Sequence, residues 1–268
     1  MNICHVAFDS KNVMPDNNQI KQMADLQYLS SDVVVIPSWF TMVKDVKNRI
    51  EEFFELSDKY YEYASFRNHK PVMASIPVCI STEELPMVIK HFMDMDITSF
   101  ILDFNSRFMT KTTWVRSFMR ELEKYHVEDE GIVYSINASQ GVSHKSDGGI
   151  CEAQDFLGFG AGVDLLGNKY SAKQSADMYD SPTRSVKIFD SANYTYHPTI
   201  CTEEEIWKYK SISVKNQMLE LNNIRDTIKN SENVLDLVKS KNLSDITMKW
   251  LIDQNKVEPR KTALDEFF

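Results

Sequence analysis

Short apolar runs alternate with longer amphipathic stretches from the N-terminus to about residue 137. The runs are ICHVAF (3–8), DVVVIP (32–37), PVMASIPV (71–78), ITSFILDF (97–104) and GIVYSIN (131–137). They are rich in β-branched residues and apolar without strict alternation, the pattern of strands buried on both faces. Between them the pattern predicts helices over 43–66, 82–95 and 111–125. Ser81 and Glu84 stand at capping-box spacing ahead of the second of these. Each strand and helix makes one β/α repeat, which predicts parallel strands joined by crossover helices.

Residues 138–184 break this rhythm. ASQGVSHKSDGG, the glycines of FLGFGAGVDLLG and SADMYDSPTRS read as loops leading into the apolar run SVKIF, which ends at Asp190. After His197 and Pro198 the pattern changes to helical spacing, with helices predicted over 202–229 and 231–255. The fold class expected is α/β: a TIM-like (β/α)8 barrel over 1–200, a helical extension over 201–260 and a terminal peptide over 261–268. A length of 268 residues suits a barrel, which commonly takes about 250.

Composition narrows the function classes. A formal charge of -9 argues against a chain that coats nucleic acid nonspecifically, because phosphate binding is driven by Lys and Arg releasing counterions. The acidity lies in the first 200 residues, while Lys239, Lys241, Lys249, Lys256, Arg260 and Lys261 balance the C-terminal part. Taken alone, such lysines describe a solvated helical face. Cys4, Cys79, Cys151 and Cys201 are too far apart for a C-x-x-C pair and read as free thiols. His197 and Cys201 are four apart, but two ligands do not close a tetrahedral site, so no metal is expected. No run approaches the roughly 20 apolar residues that span a bilayer, and MNICHVAFDS lacks a signal-peptide pattern. The expected location is the cytoplasm, with no membrane partner.

Candidate chemistry sits just past the buried strands, where a barrel gathers its reactive groups. Asp9 follows ICHVAF, Asp103 lies within FILDF, and Asp190 follows SVKIF. Convergent carboxylates suit a reaction in which one attacks as a nucleophile while another handles a proton. Strand-end aspartates equally cap turns and helices, and Asp103 equally fits a buried aspartate tied to backbone amides. The glycine-rich run 158–167 lacks a dinucleotide or Walker pattern and supports no nucleotide cofactor.

The run FDSANYTY resembles the FDSA-x-Y segment of archaeal-type tRNA-guanine transglycosylases. The early FDS at Phe8–Ser10 is similar to the start of that family's D-S-G-x-F-Q motif, and SSDVVVIP to its G-S-D-I strand. The resemblance covers roughly residues 1–200. It implies a base exchange in which Asp190 is the nucleophile and Asp9 assists proton transfer. Asp103, Ser10 and Tyr194 become base-binding candidates, with a 7-deazaguanine base as co-substrate and no further cofactor. The chain departs from the family at Lys11-Asn12, where Gly and Phe-Gln are usual, and lacks both the C-x-C-x-x-C zinc motif and the tRNA-binding domains of longer members.

The terminal KTALDEFF resembles the sliding-clamp-binding box Q-x-x-L-x-x-F-F, with Leu264, Phe267 and Phe268 at the apolar positions and Lys261 in place of glutamine. A clamp partner implies DNA as substrate and a phage or viral DNA-modifying branch, acting in the host cytoplasm. The loop before SVKIF, with Arg184 and then Lys187, supplies candidate phosphate contacts. The alternatives are a tRNA substrate, or a catalytically silent barrel tethered to a clamp.

Overall fold

The computed structural model describes residues 2–6, 13–38, 49–66, 70–111, 113–127, 131–141, 148–167 and 183–254. The strands run β1 (Val34–Ile36), β2 (Val72–Pro77), β3 (Phe100–Asp103), β4 (Val133–Ile136), β5 (Cys151–Glu152), β6 (Leu165–Leu166), β7 (Thr183–Asp190) and β8 (Thr195–Thr202). The helices are α1 (Asn17–Ser30), α2 (Ile50–Ser65), α3 (Leu85–Met93), α4 (Trp114–Glu123), α5 (Ile206–Lys229), α6 (Val234–Lys239) and α7 (Asp245–Gln254). β1, β2, β3, β4 and β6 form a parallel sheet in that order, and Ile3 extends it through a parallel bridge to Val33.

Strand alternation divides the apolar residues between two faces. Val34, Ile36, Ala74, Ile76, Phe100, Leu102 and Val133 belong to the main core, which they share with Ile20 of α1, Phe53 of α2, Val88 of α3 and Phe118 of α4. Val33, Val35, Met73, Ile101 and Ile136 point the other way and form a smaller core with Ile3, Tyr134 and Leu165. This explains why the strand sequences carry no polar alternation: both faces are buried.

Local signals fix the helix starts. Asp16 accepts from the Gln19 amide at 2.9 Å while the Gln19 side chain accepts from the Asp16 amide at 3.0 Å, a capping box that opens α1. The fully buried Gln27 then accepts from the Val35 amide at 2.7 Å and ties α1 to the sheet. Ahead of α3 the predicted box is present: Ser81 Oγ donates to Glu84 Oε2 at 2.8 Å and accepts from the Glu84 amide at 3.3 Å.

The fold is α/β, with a parallel core sheet, flanking helices and further C-terminal helices; the described strands form two sheets. SVKIF lies in a three-stranded antiparallel sheet of order β5-β8-β7, whereas a barrel needs it parallel to the earlier strands. The chain reverses over 191–194, with Tyr194 at φ 47, and β8 returns along β7 from Thr195 opposite Asp190 to Thr202 opposite Thr183. The free edge of β7 is covered by α5, where Ser213 Oγ accepts from the Phe189 amide at 3.1 Å and Asn216 Nδ2 donates to the Phe189 carbonyl at 2.8 Å. The two sheets meet in one aromatic cluster: Phe156 stacks on Phe189 at 4.2 Å between ring centres, with Tyr194 and Tyr196 5.9 and 5.5 Å from Phe189.

The helix predicted over 202–229 is α5 with a preceding turn, opened by a capping box between Thr202 and Glu205. The single helix predicted over 231–255 is two. Ser231 takes φ 56, Asn233 caps α6 through the Leu235 amide at 2.9 Å, and Ser244 Oγ accepts from the Thr247 amide at 3.3 Å to open α7. No described helix is long and apolar enough to cross a membrane.

Phe189 is fully buried at the junction of the two sheets. Phe189→Ala is expected to lower the unfolding free energy by about 3–5 kcal/mol, the usual cost of truncating a buried Phe. Urea denaturation checks this, and a loss below about 1 kcal/mol would mean that the junction does not hold the hairpin.

Candidate functional site

Asp190 closes β7 and enters the four-residue turn. Its Oδ1 accepts from the Ala192 amide at 2.9 Å and its Oδ2 from Asn193 Nδ2 at 2.7 Å. Antiparallel register sets Asp190 beside Thr195 and Ile188 beside His197, so all four share one face. The His197 Nε2 lies 3.6 Å from Asp190 Oδ2 and 3.0 Å from Thr195 Oγ1. Partial burial opposes ionisation of Asp190, but the Asn193 amide, the Ala192 N–H and the His197 charge outweigh it and hold the carboxyl below its ordinary value. About a third of the side chain is exposed, 32%. Asp190 is therefore an ionised, oriented and accessible carboxylate.

Tyr194 is also in this turn, but fully buried. Its hydroxyl donates to Glu220 Oε1 at 2.7 Å, and burial, together with that carboxylate, pushes the phenol far above its ordinary value. Its ring packs on Phe156 and Phe189, so it supports the Asp190 turn from behind and offers no free face to a base. Arg184 shares the face of Asp190 at the far end of β7, where it pairs with Glu203 at 3.3 Å.

Lys187 lies on the opposite face, with Nζ 3.4 Å from Cys151 Sγ. There Tyr196 donates its hydroxyl to Asp155 Oδ2 at 2.7 Å and accepts from Gln217 Nε2 at 3.1 Å. Burial pushes the Asp155 carboxyl up to about 6, against the opposing effects of Tyr196, the Phe156 amide and the Lys187 charge. The alternation of β7 thus separates the two candidate phosphate-binding cations.

A second cluster stands at the C-terminal edge of the parallel sheet, on the face opposite α1 to α4. Asp103 is 1% exposed. Its Oδ1 accepts from the Asn105 amide and from Asn137 Nδ2, both at 2.9 Å, and among the described residues its Oδ2 has no hydrogen-bond partner. His5 Nε2 is 3.2 Å from Ser75 Oγ; burial lowers the His5 pKa while the charge of Asp103 raises it. Arg107 donates to the Val78 carbonyl at 2.9 Å, and burial pushes the nearby Cys79 thiol up to about 11. Asn105, Ser106 and Asn137 adopt left-handed backbone at φ 43, 64 and 56. The loops after β3 and β4 are tied by the Ser106 amide to the Asn137 carbonyl at 2.8 Å and by the Ser139 amide to the Arg107 carbonyl at 3.0 Å. Left-handed non-glycine residues held by such ties mark a place where structure around a site over-determines the backbone.

The two clusters share no hydrogen bond or ion pair among the described residues. Asp9 and Ser10, and Leu264, Phe267 and Phe268, lie outside the described residues. Sequence reasoning missed His5, Ser75 and Asn137 around Asp103, Asp155 beneath the hairpin, and the pairing of His197 with Asp190. For His5 and Ser75 the signal was a polar residue interrupting an apolar run. Among the described residues no group of three or more His, Cys, Asp or Glu is placed to hold a metal ion. No family model, curated protein or solved structure matches the chain.

The raised Asp155 pKa has a stability consequence. Its ordinary value is 3.8 and the folded value about 6, so the folded state binds the proton more tightly. The resulting stabilisation is complete below about pH 4 and is lost as the pH rises through about 6. Asp155→Asn keeps an acceptor for Tyr196 without the charge. The variant is expected to gain on wild type as the pH rises from about 4 to about 7, measured by urea denaturation across that range; a pH-independent difference would contradict the assignment.

Proposed function

We propose that the chain is a pentosyltransferase that exchanges guanine in DNA for a 7-deazaguanine base through a covalent ester at Asp190. The observation that carries this is the Asp190 carboxylate, ionised and partly exposed at a turn tip, with His197 beside it. A carboxylate so held faces a sugar centre that gains positive charge as its base departs, first stabilising it and then capturing it.

A bond forms between an Asp190 oxygen and the anomeric carbon as the C1′–N9 bond breaks. The bonding pair leaves with the purine, which takes a proton from Asp9, the partner implied by the transglycosylase resemblance. The incoming deazaguanine returns that proton to Asp9 as its own N9 displaces the carboxylate, restoring both groups. Asp103 is the base-recognition residue: its Oδ2, without a hydrogen-bond partner among the described residues, is a buried acceptor suited to the N–H donors of a guanine-type edge, with Asn137, Ser75 and His5 around it.

The same reading makes the parallel sheet part of a TIM-like (β/α)8 barrel wall, with the antiparallel hairpin that carries Asp190 standing outside that wall. Sequential order of parallel strands, and a face that among the described residues carries a small core of its own without helices, support it. DNA is favoured over tRNA by the match of Leu264, Phe267 and Phe268 to a clamp-binding box, and the place of action is the cytoplasm, of the host if the chain is viral.

Asp190→Asn and Asp190→Ala are expected to reduce incorporation of labelled 7-deazaguanine base by at least about a thousandfold, the scale on which loss of a nucleophile acts. DNA and tRNA are offered side by side and nucleosides resolved by mass spectrometry. Undiminished exchange in both variants would remove Asp190 from the chemistry, and label entering tRNA alone would reverse the choice of polymer. Deletion of residues 261–268 is expected to abolish clamp binding in a pull-down and leave exchange on naked DNA unchanged; retained clamp binding would reject the box.

A further inference from the structure

The turn that carries Asp190 is anchored from beneath by groups of the C-terminal helical region. Tyr194 ends the turn in the left-handed region at φ 47, a conformation that costs a tyrosine energy and must be held by its surroundings. Its hydroxyl donates to Glu220 of α5 at 2.7 Å. Glu220, 1% exposed, also accepts from Lys241 Nζ at 2.8 Å and from Asn223 Nδ2 at 3.2 Å. Lys241 closes the arrangement by lying 5.0 Å above the centre of the Tyr194 ring. Its neighbour Asn242 donates its amide to the Ala192 carbonyl at 3.5 Å, on the residue whose own amide holds Asp190 Oδ1.

An ion pair this deeply buried contributes little net stability, because desolvation cancels most of its Coulomb energy. What it supplies is a fixed geometry. The pair joins the middle of α5, the segment after α6 and the turn at three points, and the turn sets the two donors on Asp190.

We infer that Glu220 and Lys241 are positioning residues for Asp190, acting through Tyr194. The inference rests on the reading of Asp190 as the reacting carboxylate. Their part is indirect: they hold the turn in which Ala192 and Asn193 orient the carboxylate. The helical extension is then part of the active structure.

The test combines Tyr194→Phe, which deletes one hydroxyl, with Lys241→Met, which keeps the length of the side chain and removes its charge. In each full-length variant the Asp190 carboxyl is titrated by carbon NMR and base exchange is measured on DNA. The expected result is an Asp190 titration midpoint moved up towards the ordinary carboxylate value and a kcat reduced about tenfold with KM within about twofold, while circular dichroism shows a folded chain. Glu220→Gln, which keeps an acceptor for Tyr194, is expected to move the midpoint less than Tyr194→Phe. An unchanged midpoint in folded Tyr194→Phe and Lys241→Met overturns the inference. Absence of exchange by the wild-type chain on every nucleic acid overturns the transglycosylase reading, and the titration then still decides whether the anchor holds Asp190.

Discussion

Two sheets of different kinds share one hydrophobic core, and the stacking of Phe156 on Phe189 is where they are joined. The parallel sheet buries one face under α1 to α4, but the hairpin of β7 and β8 has too little apolar surface to stand alone. Phe189 and Tyr194 pack on Phe156, on the segment between β5 and β6, and Tyr196 joins the cluster through Phe189. Burial of such rings dominates core energetics. Every polar feature of the hairpin is placed relative to this aromatic junction: Asp190 follows Phe189 by one residue and so points to the opposite face, and the Tyr194 hydroxyl emerges from the cluster on the side of α5.

Burying aromatic residues that carry hydroxyls imposes a second requirement, because each needs an acceptor. Tyr194 meets it through Glu220 and Tyr196 through Asp155. The consequences differ. Glu220 is paired with Lys241 at 2.8 Å, whereas Asp155 has Lys187 as a more distant cation, and burial keeps its carboxyl raised. The chemistry of the junction therefore follows from the choice of tyrosine over phenylalanine at two positions.

The parallel strands were legible because strands buried on both faces leave unbroken apolar runs, and VVI, FILD and VYSI lie within the segments expected. The antiparallel return was not. Pro198 marked the end of extended structure in the sequence, yet it lies inside β8. Phe189 turns its N–H and C=O to α5, so Phe189–Tyr196 and, two residues on, Lys187–Pro198 are pairs without mutual hydrogen bonds. Pro198 needs no N–H towards β7, and β5, pairing only with Thr195 and Tyr196, demands none. The pairing of His197 with Asp190 depends on this register and could not be read from spacing. Asp103 was legible as a strand-end carboxylate, while its partners come from three other chain segments and become neighbours only in the sheet.

Asp190 and Asp155 lie on opposite faces of one hairpin, and their environments drive their pKa values apart. A value of about 6 would suit a general acid near neutral pH. Asp155 is nonetheless the wrong partner for Asp190, because its carboxylate is held by Tyr196, whose side chain leaves β8 on the side away from Thr195 and His197. The proton for a leaving base must come from elsewhere, which is the part assigned to Asp9. The donors on Asp190 bear on the step itself. Hydrogen bonds that keep a carboxylate ionised also reduce its nucleophilicity, so under the proposed exchange Asp190 contributes first as a fixed negative charge beside the developing cation. Bond formation to Asp190 then lags behind cleavage of the C1′–N9 bond within the same displacement, and its efficiency depends on how little the turn must move to reach the sugar.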